Sequence, residues 1–234
     1  MGKWCIKQNM LVFVYYGHST FSLKNARYRL LFDPFFSCNP TANIKADVVP
    51  CNHLLVSHGH GDHMIDAAAI AERTKAVVIG TPEVLEACKA TNAHSMNIGG
   101  SAELDFGSVY MTQAVHSSGL PGGLACGFVV QIGEKTIYYA GDTALFSDMK
   151  LIAERFDIDV AVLPIGGNYT MDIHDAAIAV EWLKPKHVIP VHYNTWPVIQ
   201  ADPEKFKELV ESKTAAKVHI LKSGDFLDLE RLDD

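Results

Sequence analysis

Within the stretch Ser57-His58-Gly59-His60-Gly61-Asp62-His63 the chain crowds three imidazoles and a carboxylate. Buried imidazoles each need their own hydrogen-bond partners, and charging several side by side is costly, so structural histidines rarely cluster in this way. A divalent cation removes the conflict, because neutral imidazole and carboxylate are preferred ligands of zinc and similar ions. Gly59 and Gly61 would let the backbone turn sharply enough for alternate side chains to converge. His58 and His60, two apart, can then face one ion while Asp62 and His63 face another. Two such ions could share a water, lower its pKa towards neutrality and polarise the group under attack. That is hydrolysis without a serine or cysteine nucleophile.

Rigid elements must aim such a cluster. The run His53-Leu54-Leu55-Val56-Ser57 directly before it reads as a buried strand. Ahead of that, residues 10–16, 20–24 and 28–33 read as a meander of short strands. Residues 62–73 carry helical spacing, with Met64, Ala67, Ala68, Ile70 and Ala71 as the apolar stripe, and 76–80 returns to strand character. Thr81-Pro82-Glu83 opens a second helix with a cap residue, a proline and an early acid. The later part predicts strands at 108–114, 125–132 and 135–140, a helix at 144–155, a strand at 160–164, a helix at 175–183 and a strand at 187–191. A helix opened by Asp202-Pro203-Glu204 and strands at 217–221 and near Phe226 follow. With no linker, low-complexity tract or repeat, residues 1–234 read as one α/β domain whose halves pack sheet against sheet with helices outside.

His-x-His-x-Asp-His after an apolar strand resembles the signature of the metallo-β-lactamase superfamily, and the likeness covers nearly the whole chain. The resemblance implies a four-layer αββα sandwich, two mixed sheets face to face with helices outside, in two pseudo-symmetric halves, roughly 1–107 and 108–234. It also implies three later ligands on loops after strands: His116, Asp142 after Ile137-Tyr138-Tyr139-Ala140-Gly141, and His192 after Val188-Ile189-Pro190-Val191. By it, His58, His60 and His116 hold one metal, Asp62, His63 and His192 the second, and Asp142 bridges both. Gly17-His18-Ser19-Thr20, the segment from Pro164 to Met171 and Pro190-Val191-His192-Tyr193-Asn194-Thr195 look like the small metal-dependent hydrolases akin to ascorbate-6-phosphate lactonase. Relatives of that branch often carry an acidic stretch where this chain has Asp172-Ile173-His174-Asp175. The catalytic residues implied are Asp62, to orient or shuttle the proton of the attacking hydroxide, and His18, with His174 as second candidate proton donor. Asn168, His174 and Asn194, together with Tyr169 and Trp196, are candidate substrate contacts.

The expected activity is cleavage of a small-molecule ester, lactone or phosphoester by a hydroxide activated between two divalent ions. Zinc is the first choice, with manganese, iron or nickel as alternatives. Other readings are a phosphodiesterase acting on nucleotides or phospholipid-like substrates and a non-catalytic metal-binding module. A two-iron oxidoreductase is disfavoured, because relatives of that kind usually carry glutamate where His60 stands. A net charge of −7, from 27 acidic and 20 basic residues, gives no footprint for a phosphate backbone, so nucleic acid is not expected as a partner. Cys5, Cys38, Cys51, Cys88 and Cys126 form no Cys-x-x-Cys pair and read as reduced thiols of a cytoplasmic protein. The basic-then-apolar stretch 3–16 lacks a small-residue exit and reads as a strand rather than an export signal. No run approaches the roughly 20 apolar residues that cross a bilayer, so no membrane is expected either. Self-association into a symmetric homo-oligomer is compatible with such an enzyme, with no interface residue assigned.

Overall fold

The computed structural model describes residues 10–232; Cys5 and the start of the 3–16 stretch lie outside them. Strands β1 (Val12–Gly17), β2 (Thr20–Lys24) and β3 (Arg29–Phe32) form an antiparallel meander. To it β4 (His53–Leu55), β5 (Val77–Gly80) and β6 (Ala93–Ser95) add in parallel, with helices α1 (Gly61–Met64), α2 (Ala67–Thr74) and α3 (Pro82–Ala87) in the connections. A second meander of β7 (Ser101–Leu104), β8 (Gly107–Gln113), β9 (Cys126–Ile132) and β10 (Lys135–Tyr139) is extended in parallel by β11 (Val160–Pro164), β12 (His187–Val191) and β13 (Lys217–Val218). Helices α4 (Met149–Arg155), α5 (Ile173–Leu183) and α6 (Pro203–Lys213) make its crossovers. Strand β14 (Phe226–Asp228) returns to pair antiparallel with β1. Each sheet therefore has seven strands, ordered β14-β1-β2-β3-β4-β5-β6 and β13-β12-β11-β10-β9-β8-β7.

Period-two alternation decides which side chains meet. Phe21, Leu23, Leu30 and Phe32 of the first sheet join Phe128, Val130 and Tyr139 of the second in one core between the sheets. The Phe21 ring stacks on Phe13 and Phe32 at 4.7 and 4.3 Å and meets Tyr139 edge-on at 5.2 Å; each such pair adds about 0.5–1.5 kcal/mol beyond its burial. The alternate residues Val129, Tyr138, Ala161 and Leu163 take Ile152, Ala176, Val180 and Phe206 from α4, α5 and α6. On the far side, Leu31, Leu54 and Val78 take Ala67, Ile70 and Val84 from α2 and α3. The layers are thus helix, sheet, sheet, helix.

Three departures from the sequence reading have local causes. The helix expected over 62–73 breaks between α1 and α2, because the Asp66 amide donates to Pro34 and its carboxylate accepts the amides of Phe36 and Ser37 at 2.7 and 2.9 Å. The helix expected from residue 144 begins at Met149, since the Ala144 amide and the Thr143 carbonyl bond to Val115 and Met171 instead. Strands β6 and β7 went unread because they are short, half-exposed edge strands without an apolar run.

Candidate metal centre

Alternating antiparallel pairing makes β1 run parallel to β3, and β8 parallel to β10. The carboxyl ends of β1, β3, β4, β8, β10 and β12 consequently open on one rim, the usual place for a ligand site in such sheets. From those ends come His18, Asp33, the segment 57–63, His116, Asp142 and His192. His18, Asp33 and His192 hold left-handed backbone, with φ of 57, 41 and 54°, a strained choice for residues with a β-carbon. Cross-links over-determine it: the His192 amide and the Tyr15 hydroxyl both donate to the His18 carbonyl at 2.9 Å.

Glycine matters at Gly141 (φ +63°), where a β-carbon would lie 2.4 Å from the Cys126 carbonyl oxygen, and this turn aims Asp142 inward. The conformational role expected of Gly59 and Gly61 is not what the structure displays. Neither has positive φ; a β-carbon on Gly61 would meet open space, and one on Gly59 would collide with the Leu120 side chain at 2.3 Å. Gly59 makes room for a loop, and the convergence of the histidines comes from the strand exit and α1.

The ligand-type atoms gather in two adjoining groups. His58, His60 and His116 form one; Asp62, His63, His192 and His18 form the other, with the chosen atoms of each group within 4.8 Å of one another. His58 Nε2 lies 2.9 Å from His60 Nδ1. Asp142 Oδ2 lies 3.0 Å from His192 Nε2, 3.2 Å from His63 Nε2 and 3.7 Å from His116 Nε2, touching both groups. Asp62 Oδ2 is 3.1 Å from His18 Nε2 and 3.7 Å from His192 Nε2.

Behind the groups, the fully buried Asp33 carboxylate accepts four donors: the Ser57 amide at 2.7 Å and its hydroxyl at 2.6 Å, His63 Nδ1 at 2.8 Å, and the Tyr139 hydroxyl. Three of these donors meet Oδ2 and the Ser57 amide meets Oδ1, so Asp33 is engaged chiefly in holding Ser57 and His63 in place. It fixes His63 with Nε2 free to face the centre. Having donated to Asp33, the Ser57 hydroxyl accepts from His58 Nδ1 at 2.9 Å, which turns the His58 Nε2 lone pair inward as well.

The site's polar atoms ask for a cation. Among the described residues Asp142 Oδ1 is buried without a hydrogen-bond partner, an arrangement that costs about 1–3 kcal/mol unless filled. Burial favours the neutral form at His58 and His116 and holds both below the ordinary histidine range. Burial acts the same way at His63 and His192, but there Asp142 with Asp33, and Asp142 with Asp62, outweigh it, lifting His63 well above that range and His192 to about 9. Burial opposes ionisation of Asp62 and Asp142 too, yet the surrounding imidazoles keep both carboxyls far below their usual range. A buried, ionised, imidazole-lined carboxylate pair fits divalent ions.

The other candidates stand on the segments that follow β11 and β12. Trp196 sets its ring 5.0 Å from His18. Tyr169 and Asn168 are exposed on the loop after β11, and His174 is exposed in the first turn of α5, capped by Asp172. The Asn194 amide is occupied on both sides by the Ala201 backbone, at 3.0 and 2.9 Å. Asp33, Thr195 and Tyr139 escaped the sequence reading. The one usable signal was an acid directly after an apolar strand in Leu31-Phe32-Asp33, the placement that the family resemblance gave to Asp142.

Residues 28–193 match a family described as "Beta-lactamase superfamily domain". The chain belongs to the metallo-β-lactamase superfamily, and within it to the metal-dependent hydrolases its relatives define. It is 48% identical over 215 residues to a UPF0173 metal-dependent hydrolase of Natranaerobius thermophilus, covering 91% of this chain and 97% of that one. It is 45% identical over 205 residues to the UPF0173 metal-dependent hydrolase YtkL of Bacillus subtilis, covering 83% and 90%. Among solved structures, Igni18, a metallo hydrolase from Ignicoccus hospitalis KIN4/I, superposes with a TM-score of 0.87 at 36% identity, covering 94% of this chain and 98% of that one.

Proposed function

We propose that the protein hydrolyses a small-molecule ester, lactone or phosphoester with two divalent ions. His58, His60 and His116 would hold one ion and Asp62, His63 and His192 the other. The observation that supports this most is Asp142, one carboxylate within 3.0 to 3.7 Å of histidines from both groups. Bound there, the ions would supply an acidified water and a positive charge to polarise the scissile group. Imidazole-rich donors suit zinc first and manganese next.

The chain's own residues position and move the proton. Asp62, with its side chain 24% exposed, faces the open side and can carry a proton between attacking and leaving oxygens. A carboxylate only accepts, so His18 Nε2 bears the hydrogen that meets Asp62 at 3.1 Å, and His18 Nδ1 accepts from the Thr195 hydroxyl at 2.8 Å. Burial, stronger than the Asp62 bond, lowers His18 to about 4. A neutral His18 with both nitrogens engaged is a positioning residue for Asp62 in this reading, in preference to a proton donor for the leaving group.

We read the chain as one domain whose halves, roughly 1–107 and 108–234, each supply part of the centre. The free thiols of Cys38, Cys51, Cys88 and Cys126 favour a reducing, cytoplasmic setting. Among the described residues no helix is long and apolar enough to cross a membrane. Elemental mass spectrometry on wild type and Asp142→Ala, with turnover assays on lactones, phosphodiesters and thioesters, tests the proposal. The expected result is about two metal equivalents, reduced in the variant, with metal-dependent turnover of at least one substrate. A wild type that takes up no metal under replete conditions would sink it.

A further inference from the structure

We infer that the substrate is uncharged at the reacting end and carries an apolar group: a carboxylic ester, lactone or thioester rather than a phosphoester. This rests on the hydrolase reading above. Electrostatics gives the first argument. The loops that carry the centre's residues and flank them, 17–19, 33–44, 56–66, 114–125, 140–148, 165–172 and 192–202, contain no lysine or arginine, although the chain has 20; the neighbouring 219–225 loop, bonded to Asn43 and Tyr16, brings a single one, Lys222. Phosphoryl groups are ordinarily gripped by cationic side chains as well as by metal. Three acids of these loops are already engaged with the backbone: Asp66 with Phe36 and Ser37, Asp172 with His174 and Asp175, Asp202 with Glu204 and Lys205. An anionic substrate would find carboxylates and no side-chain clamp.

Apolar surface gives the second argument. Of the eight large hydrophobic residues exposed on the described surface, five sit on these loops: Ile65, Val115, Leu124, Tyr169 and Val198, each between 45% and 57% exposed. Their loops bear directly on the centre. The 117–123 loop packs Leu120 on Gly59 and Gly119 against His60, and Gly166 approaches the His192 carbonyl so closely that a β-carbon would lie 2.2 Å from it. Exposed apolar side chains scattered singly mean little, but five gathered around a reactive centre describe a wall for an apolar substituent.

Two matched series on the metal-loaded protein test this: p-nitrophenyl carboxylic esters from acetyl to octanoyl against p-nitrophenyl phosphodiesters for turnover, and linear hydroxamates of the same lengths for calorimetric binding. Both kcat/KM and hydroxamate affinity should rise about threefold per methylene, with phosphodiesters at least about a hundredfold poorer than the best ester. In the double variant Leu124→Ser, Tyr169→Ser the length dependence should flatten while metal content stays at the wild-type value. Phosphodiesters turned over as well as esters, or flat length dependence in both series, would overturn the inference and leave the hydrolase reading standing. Failure of the loaded protein to cleave either the carboxylic esters or the phosphodiesters, with no hydroxamate bound, would remove that reading, and this inference with it.

Discussion

His58, His60 and His116 lie among other imidazoles, and burial favours their neutral form at His58 and His116, whereas His63 and His192 lie against Asp142, Asp62 and Asp33 and retain a proton there. The first group is ready to donate lone pairs. The second must give up protons when an ion enters, so its loading is tied to pH. In the two-ion reading proposed above, one residue type would make a preformed half-site and an exchanging half-site a few ångströms apart. What separates them is the number of carboxylates in contact, not the histidines themselves.

Removing a histidine from each side is the strongest way to break the contrast. His63→Ala takes one of its four donors from buried Asp33 and one of its imidazoles from buried Asp142, which should cost about 3–5 kcal/mol and lower the metal-free melting temperature by roughly 10 °C. His60→Ala, at a partly exposed position whose described side-chain bonds are to His58 and Ser117, should stay within about 1 kcal/mol. Equal melting temperatures would erase the distinction.

Asp33→Asn asks whether one carboxylate serves both sides, directly through His63 and indirectly through Ser57 and His58. Chelator competition should give a fall of about 10- to 100-fold in affinity for both ions; loss at one ion alone would show that the Ser57 relay carries little. Acidity sharpens the comparison further. His192 is raised from its ordinary range to about 9, so its proton stabilises the metal-free fold fully below about pH 6.5, and that contribution fades as pH climbs towards 9. Melting of metal-free protein should therefore fall across this window while apparent metal affinity rises. A metal-free melting curve flat across that range would contradict it.

The smallest effect is expected at Thr195→Val, which removes the hydroxyl bonded to His18 Nδ1. A loss of about tenfold in kcat/KM, recovered by Thr195→Ser, is the expected outcome. Nitrogen NMR of the His18 ring should report hydrogen on Nε2 in wild type and a mixed tautomer in the valine variant. An unchanged spectrum would leave Thr195 a packing residue.

Sequence legibility tracked distance along the chain. The motif at 58–63 is local, and His116, Asp142 and His192 were reached through the family resemblance that motif carries, each after an apolar strand. The structure brings all seven to one rim. Asp33 was hidden because its meaning comes from Ser57, His63 and Tyr139, which lie 24, 30 and 106 residues away. Thr195 meets His18 across 177 residues, and alone it reads as one more loop threonine. Asp66 broke a helix whose apolar stripe looked continuous, because its partners sit about 30 residues earlier. Spacing finds what one strand exit presents; it does not find support borrowed from the opposite sheet.

Strand β14 also sets a schedule. Its residues 226–228 pair with the outer edge of β1 and leave the ribosome after every other strand of either sheet. At about 5–20 residues per second, β1 is translated tens of seconds before the partner that closes its edge. An open, apolar strand edge on a nascent chain invites pairing with a neighbouring chain, so crowded polysomes are where this protein is most exposed to misassembly.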